Sequence, residues 1–167
     1  MSIIDVIIEI PHGSSCKYEF DEKLGCIRLD RILSTAMNYP GNYGYIPHTI
    51  AGDGDPLDVL VVSDKVFFPG VICECRILGS LITEDEKGID HKLIAVLSSK
   101  VDARMAKITD IEHLPEITIE IIRDFFTHYK NQEKGKWVKV GDILSLEDTL
   151  LLINECREKW NNKHISQ

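Results

Sequence analysis

Short apolar runs, separated by glycine, proline and charged residues, fill the first two-thirds of the chain. The runs are rich in β-branched residues, which is typical of strands. Residues 21–25 (DEKLG) separate two of the runs and predict the turn of a hairpin. The predicted strands lie at 3–11, 17–20, 26–33, 58–64, 71–83 and 91–98.

Helical spacing replaces this pattern in the last third of the chain, beginning with residues 114–130. An apolar side chain recurs there at every fourth position, which predicts a helix that buries one stripe. The short ITIEI part, taken alone, also suits a strand. The predicted stripe consists of Ile117, Ile121, Phe125 and Tyr129.

A second helix is predicted over residues 145–160. Ser145 stands three positions before Asp148, which is the pattern of a helix N-cap. The apolar positions that follow helical spacing are Leu146, Leu150, Ile153, Cys156 and Trp160. Strands first and helices last predict an α+β fold: one small barrel or curled sheet with helices packed outside.

Composition narrows the class of protein. A length of 167 residues is most simply one domain, 1–167. The formal net charge of −8 argues against nucleic acid or an anionic membrane as the main partner. No apolar run reaches the roughly 18 residues of a membrane helix, and the N-terminus lacks the basic region of a signal peptide.

The cysteines favour a reducing, cytoplasmic location. There are five, an odd number with no disulfide framework. Cys73 and Cys75 could begin a zinc site, but no second Cys/His pair has the required spacing. We therefore interpret both as small side chains on a strand.

Three aspartates, Asp53, Asp55 and Asp58, gather directly before an apolar strand. Aspartate is depleted in strands and like charges repel, so this cluster needs an explanation. A solvated turn is one, because Asp-Gly-Asp-Pro is good turn chemistry. An EF-hand loop is another, but Leu57 and Asp64 stand where that loop needs different residues. The third is a magnesium site that also holds phosphate.

A second acidic turn favours the third explanation. It contains Asp85, Glu86 and Asp90, and strand alternation places Lys92 on the same face as Asp90. Each of these polar residues alone suits an ordinary solvated surface. Together they form an inventory that fits divalent cations facing a polyanion. The other polar residues of that inventory are Glu9, Lys17, Glu19, Arg31, Tyr39, Tyr43, Tyr129, Lys130 and Lys136.

At this point the sequence resembles a known family, the soluble inorganic pyrophosphatases of family I, and its bacterial members in particular. The blocks that carry the resemblance are IEIP, KYEFD, YPGNYGYIPHT, DGDPLDVLV, DEKGIDHK and HYKNQEKGKWVKV. The resemblance implies a five-stranded OB-like β-barrel with flanking helices. It also implies Mg²⁺-dependent hydrolysis of pyrophosphate to two orthophosphates, and a hexamer.

The resemblance further implies a role for each site residue. Asp55 matches the acceptor of a proton from metal-bound water. The matching metal ligands are Asp53, Asp58, Asp85 and Asp90. The matching phosphate contacts are Lys17, Arg31, Tyr43, Lys92, Tyr129 and Lys130. Further polar positions of the site are Glu9, Glu19, Tyr39, Glu86 and Lys136.

Two other functions stay open on the residues alone. One is an OB-type binding module for nucleic acid or another polyanion, which the net charge and the lack of a basic stripe oppose. The other is a retired enzyme kept as a subunit of an assembly.

Leu151, Leu152 and residues 124–128 (DFFTH) provide more apolar surface than one helix face needs. We therefore predict a homo-oligomer with the Asp124–His128 helix at a contact.

Overall fold

The computed structural model describes residues 2–165. Its strands are β1 (Ile3–Ile10), β2 (Cys16–Asp21), β3 (Cys26–Ile32), β4 (Asn42–Tyr45), β5 (Asp58–Val61), β6 (Ile72–Asp85), β7 (Gly88–Leu97) and β8 (Val138–Leu144). Its helices are α1 (Glu116–His128) and α2 (Leu146–Ile165). Within this described part of the chain, no helix is both long and apolar enough to cross a membrane.

Five strands close into a ring. The order is β1-β4-β5-β7-β6, and β6 pairs again with β1. β5 and β7 run parallel, whereas the other pairs are antiparallel. β8 extends the sheet beyond β6, and β2 and β3 form a separate hairpin. The ring of five strands with two helices against it confirms the predicted α+β, OB-like architecture.

Both faces of the central strands are buried, which explains why the strands read as continuous apolar runs. Val59 and Val61 belong to an apolar cluster that α2 covers through Ile153 and Cys156. Leu60, on the opposite face of β5, belongs to a second cluster, which α1 covers. The end of α1 lies near the second acidic turn, because Lys130, just past the helix, contacts Asp85.

Two strands, β4 and β8, were not predicted from the pattern. β4 (NYGY) contains no β-branched residue, and its Gly44 lies where a Cβ atom would overlap the carbonyl oxygen of Ile7. β8 pairs with β6 on one side and contains Gly141. Neither strand carries the alternation that marks a half-buried strand.

The ITIEI segment, which also suited a strand, is part of helix α1. The buried stripe predicted for this helix is wrong in part. Ile117 and Ile121 are more than half exposed, whereas Ile122, Phe125 and Phe126 are buried. Both phenylalanines were also predicted to provide exposed apolar surface, and this prediction is wrong because both are buried. The helix turns both of them into the cluster of tyrosines beneath it, so they complete the core instead.

Helix α2 is confirmed, but it continues past the predicted end at Trp160 to Ile165. The hydroxyl of Ser145 accepts a hydrogen bond from the Asp148 backbone N–H at 3.1 Å and donates to its carboxylate at 2.8 Å. Ile153 and Cys156 are buried, as helical spacing required. The α2 cap therefore depends on local residues that the sequence displays directly.

Candidate active site

A cavity of about 290 Å³ lies where the acidic turns meet the hairpin and the end of α1. All sixteen residues that the sequence assigned to the site line this one cavity. They are Glu9, Lys17, Glu19, Arg31, Tyr39, Tyr43, Asp53, Asp55, Asp58, Asp85, Glu86, Asp90, Lys92, Tyr129, Lys130 and Lys136.

The first acidic turn is shaped by its own residues. Gly54 has φ of +90°, a conformation that glycine adopts without strain. The backbone N–H of Asp55 donates to Asp53 Oδ1 at 3.0 Å, which closes the turn. Burial, followed by the charge of Asp53, raises the pKa of the Asp55 carboxyl above its ordinary value. A carboxylate with a raised pKa is a better proton acceptor.

Lys92 occupies the centre of the acidic cluster. Its Nζ lies 2.6 Å from Asp58 Oδ2 and 2.6 Å from Asp90 Oδ2, and its side chain is only 7% exposed. The pairing follows from the parallel register of β5 and β7, which sets Asp58 beside Lys92. Burial, the largest single influence, lowers the pKa of Lys92, but Asp58, Asp90 and the neighbouring tyrosines together outweigh it, so the net pKa is raised and the ammonium stays charged.

Tyr43 joins the same group from β4. Its hydroxyl donates to Asp58 Oδ2 at 2.7 Å, and burial raises the pKa of the phenol well above its usual value. The Lys92 ammonium lies 5.6 Å from the centre of the Tyr43 ring. Tyr43 is therefore a neutral hydrogen-bond donor at the floor of the cavity.

The second acidic turn is tied to the end of α1. Lys130 Nζ lies 3.3 Å from Asp85 Oδ2, and both side chains are mostly buried. The Lys87 backbone N–H donates to Asp85 Oδ1 at 2.8 Å. Burial raises the pKa of Asp85, but these two partners outweigh it, so the net pKa lies below its ordinary value and the carboxylate is ionised.

The hairpin supplies the remaining wall. Lys17 Nζ lies 2.7 Å from Glu19 Oε1, since residues two apart on a strand share one face. The Phe20 backbone N–H donates to Glu9 Oε2 at 2.7 Å. Burial, the largest influence, raises the pKa of Glu9 to about 7. Glu9 is thus the carboxyl of this wall that gains or loses a proton near neutrality.

Aromatic rings support the cavity from below. The Tyr39 ring lies 4.7 Å from that of Phe125 in a tilted arrangement, and Phe125 stacks on Tyr129 at 5.1 Å. Tyr43 contacts Phe126 at 5.9 Å. The tyrosine hydroxyls are consequently held by rings that cannot move independently of α1.

The donor set fits a divalent cation by its chemistry, because carboxylate oxygens are the ligands that magnesium prefers. In residues 2–165, no three His, Cys, Asp or Glu side chains stand together in an arrangement that holds an ion. The ammonium of Lys92 balances Asp58 and Asp90 instead. A cation there would compete with an internal positive charge that is already in place.

Sequence reasoning missed several residues of the wall. Tyr18, Asp30 and Lys87 also line the cavity. Asp30 is the extra residue of a β-bulge, because Lys17 pairs with Arg31 while Tyr18 pairs with Leu29. Strand alternation therefore breaks at Asp30. Only the adjacent cation, Arg31, could have marked Asp30 as a site residue.

Known proteins resemble this chain over most of its length. The family model described as inorganic pyrophosphatase matches residues 6–161. The inorganic pyrophosphatase of Aquifex pyrophilus is 52% identical over 157 residues, which cover 94% of this chain and 89% of that protein.

Solved structures agree with the sequence comparison. The inorganic pyrophosphatase of Helicobacter pylori superposes with a TM-score of 0.93 at 39% identity, covering 96% of this chain and 94% of that one. The enzyme from Thermus thermophilus gives 0.92 at 45% identity, covering 96% and 92%. With its fold, its charged cavity and these matches, the chain belongs to the inorganic pyrophosphatase family.

Proposed function

We propose that this protein hydrolyses inorganic pyrophosphate to two orthophosphates, with Mg²⁺ as its cation. The observation that carries the proposal is the single cavity in which aspartates, cations and tyrosine hydroxyls meet. Family membership supports a requirement for a divalent metal in general. The choice of Mg²⁺ rests on the oxygen-only ligand set, which excludes the softer thiolate and imidazole donors of other metals.

Four aspartates would hold the cations. Bound Mg²⁺ supplies a water of lowered pKa and charge that offsets the phosphate oxygens. The residues proposed as ligands are Asp53, Asp58, Asp85 and Asp90. Two of these are paired with Lys92 in this structure, so the lysine and the cation would share Asp58 and Asp90.

Asp55 is the proposed proton acceptor. It lies in the same turn as Asp53, and its raised pKa brings it nearer to the operating pH. Its carboxylate must be ionised to accept a proton, and none of the ion pairs within residues 2–165 involves it. Its side chain is thus free to take the proton released when water attacks phosphorus.

The cations and tyrosines bind and orient the substrate. Pyrophosphate is small and highly charged, so its binding requires charge neutralisation on several sides. We assign this role to Lys17, Arg31, Lys92 and Lys130. Tyr43 and Tyr129 are both buried, and their hydroxyls provide hydrogen-bond donors for the phosphate oxygens. Glu9, Glu19, Tyr39, Glu86 and Lys136 complete the wall.

Phosphate release from pyrophosphate tests the proposal. Purified protein with Mg²⁺ is expected to release two phosphates per pyrophosphate, and EDTA should abolish the release. A protein that releases no phosphate above buffer, with Mg²⁺ present, would contradict the proposal. Binding of single-stranded nucleic acid without metal, weakening as salt rises, would favour the polyanion-binding module instead. A retired enzyme would show neither property.

We further infer that residues 1–167 act as one domain within a cytoplasmic hexamer. Unpaired thiols at all five cysteines support a reducing compartment. Exposed Ile117 and Ile121 on α1, together with exposed Leu151, support a contact between copies. On the same helix, His128 Nδ1 lies 2.9 Å from Asp124 Oδ1. Light scattering that gives a monomer mass at micromolar concentration would exclude the oligomer.

A further inference from the structure

Glu133 is a carboxylate behind the wall of the cavity, between two of its cations. Its Oε1 lies 2.8 Å from Arg31 Nε, and its Oε2 lies 3.0 Å from Lys136 Nζ. Both cations line the cavity, whereas Glu133 does not. The Glu133 carboxylate therefore contacts Arg31 and Lys136 from outside the cavity, and both cations line the cavity proposed to hold the substrate.

Burial of the Glu133 carboxylate raises the free energy of its charged form. Its side chain is 14% exposed. Both carboxylate oxygens are shielded from solvent, and neither makes an aligned hydrogen bond to another described residue. A shielded carboxylate without hydrogen bonds is stable only beside opposite charge. Arg31 and Lys136 supply that charge, so each of the three groups constrains the other two.

The backbone places Glu133 at a junction. Its N–H donates to the carbonyl of Lys130 at 3.0 Å, and its own carbonyl accepts from the Lys136 N–H at 3.3 Å. Gly135, with φ of +73°, allows the chain to reverse between them. One residue thus connects two cavity lysines through its backbone and connects Arg31, on β3, through its side chain.

The rest of Arg31 faces other partners. Its Nη1 lies 3.4 Å from Asp30 Oδ2, and its Nε faces Glu133. Guanidinium carries five N–H donors in a fixed plane, so fixing one edge fixes the direction of the others. Nη2 donates no hydrogen bond within residues 2–165, so its donors stay available to an anion in the cavity.

We propose that Glu133 is a positioning residue for pyrophosphate: it holds Arg31 and Lys136 in a fixed relation on one wall, so that both cations meet the same phosphoryl group. The proposal rests on the proposed function, because it takes the cavity as the pyrophosphate site. It assigns Glu133 no contact with substrate. Its effect passes entirely through the two cations.

The sign of one measurement distinguishes this role from simple electrostatics. By Coulomb attraction alone, removing a negative charge near an anion site should tighten anion binding. Removing a positioning group should weaken it, because the two cations would repel each other and lose their common orientation. Glu133→Gln keeps the shape of the side chain and removes only the charge.

Methylenediphosphonate, a pyrophosphate analogue that resists hydrolysis, provides the test in metal-free buffer. Isothermal titration of the full chain should give a Kd for Glu133→Gln about tenfold above that of the wild type. Glu158→Gln, the same change at an exposed position of α2, is the matched control and should leave Kd unchanged. An unchanged or lower Kd for Glu133→Gln would overturn the proposal.

Two further variants separate positioning from general damage. In an Arg31→Gln background, the effect of Glu133→Gln on Kd should shrink, because one of the groups through which it acts is gone. Full additivity would contradict the proposal. Glu133→Asp keeps the charge one methylene farther back, and its Kd should lie between those of the wild type and Glu133→Gln. If Glu133→Gln does not fold, a wild-type Kd for Glu133→Asp would overturn the proposal.

Kinetics with Mg²⁺ supply an independent readout. Glu133→Gln should raise KM more than it lowers kcat, since the metal ligands and Asp55 are untouched. Wild-type protein that neither binds the diphosphonate nor hydrolyses pyrophosphate would contradict the proposed function instead. The two failures are therefore distinguishable.

Discussion

Two cavities lined by residues of the described part of the chain differ in size and in charge. The larger, about 530 Å³, lies between β1, β6 and the end of α2, and three of its ten lining residues carry a charge. The smaller, about 290 Å³, has fifteen charged residues among its twenty. Grouping charges in a confined space costs free energy that folding alone does not recover. Charge density, rather than volume, therefore marks the functional site.

The larger cavity has a structural explanation. Its wall includes the His48 ring, 4.5 Å from Trp160, and Trp160 in turn stacks on His164 at 4.1 Å. These rings hold the last turns of α2 against the sheet. The charges around them, Asp5, Glu74 and Arg157, are few and of both signs. Space alone therefore does not mark a functional site, whereas a dense group of charges of both signs does.

Replacing Asp55 with Asn is the strongest way to test the smaller cavity. Asn is nearly isosteric but accepts a proton poorly, so we expect kcat to fall by at least about a hundredfold. The fold should persist, because the turn is closed by the Asp55 backbone N–H and not by its side chain. Steady-state phosphate release at saturating pyrophosphate measures the effect. Activity within a few-fold of the wild type would show that another group takes the proton.

Asp58→Ala should have the next largest effect, on metal affinity. Asp58 accepts from Tyr43 and pairs with Lys92, so its loss removes a proposed ligand and leaves Lys92 with Asp90 alone. We expect Mg²⁺ to bind about tenfold more weakly, the lower end of the change seen when groups around a metal are lost. Calorimetric titration with Mg²⁺ checks this. An unchanged affinity would remove Asp58 from the proposed ligands.

Arg157→Gln, in the larger cavity, should have the smallest effect. The residue lies in the wall formed by α2, outside the cavity proposed as the active site. We expect kcat/KM to stay within about twofold of the wild type, as for substitutions remote from a site. A loss of activity comparable to that of Asp55→Asn would break the contrast between the two cavities. It would then assign a function to the larger one.

Local patterns predicted much of the fold. The strands at β1, β5, β6 and β7 follow from runs of β-branched residues, and the α2 cap follows from Ser145 and Asp148. These features depend on neighbours in the chain, which the sequence displays. β4 escaped prediction because its conformation is imposed by contact with β1 at Gly44. β8 escaped prediction because its own residues have only a weak preference for the β conformation, and its pairing with β6 stabilises it as a strand.

The candidate site shows the same division. Motifs of unusual composition predicted its sixteen residues, and the fold brings all of them into one cavity. Their individual roles stay predictions. The sequence did not reveal that Lys92 lies between Asp58 and Asp90, since this follows from the register of β5 against β7. It also did not reveal Asp30, which enters the wall through a bulge.

Residue identity and local spacing were enough to show which chemical groups the protein can use, because neither depends on distant contacts. The tertiary structure decided which charges face one another. Phe125 and Phe126 are both buried because α1 packs them against several tyrosines. Glu133 contacts Arg31 because the loop after α1 folds back onto β3. Such contacts join residues far apart in the chain, and their free energy depends on distances and burial that only the folded chain defines.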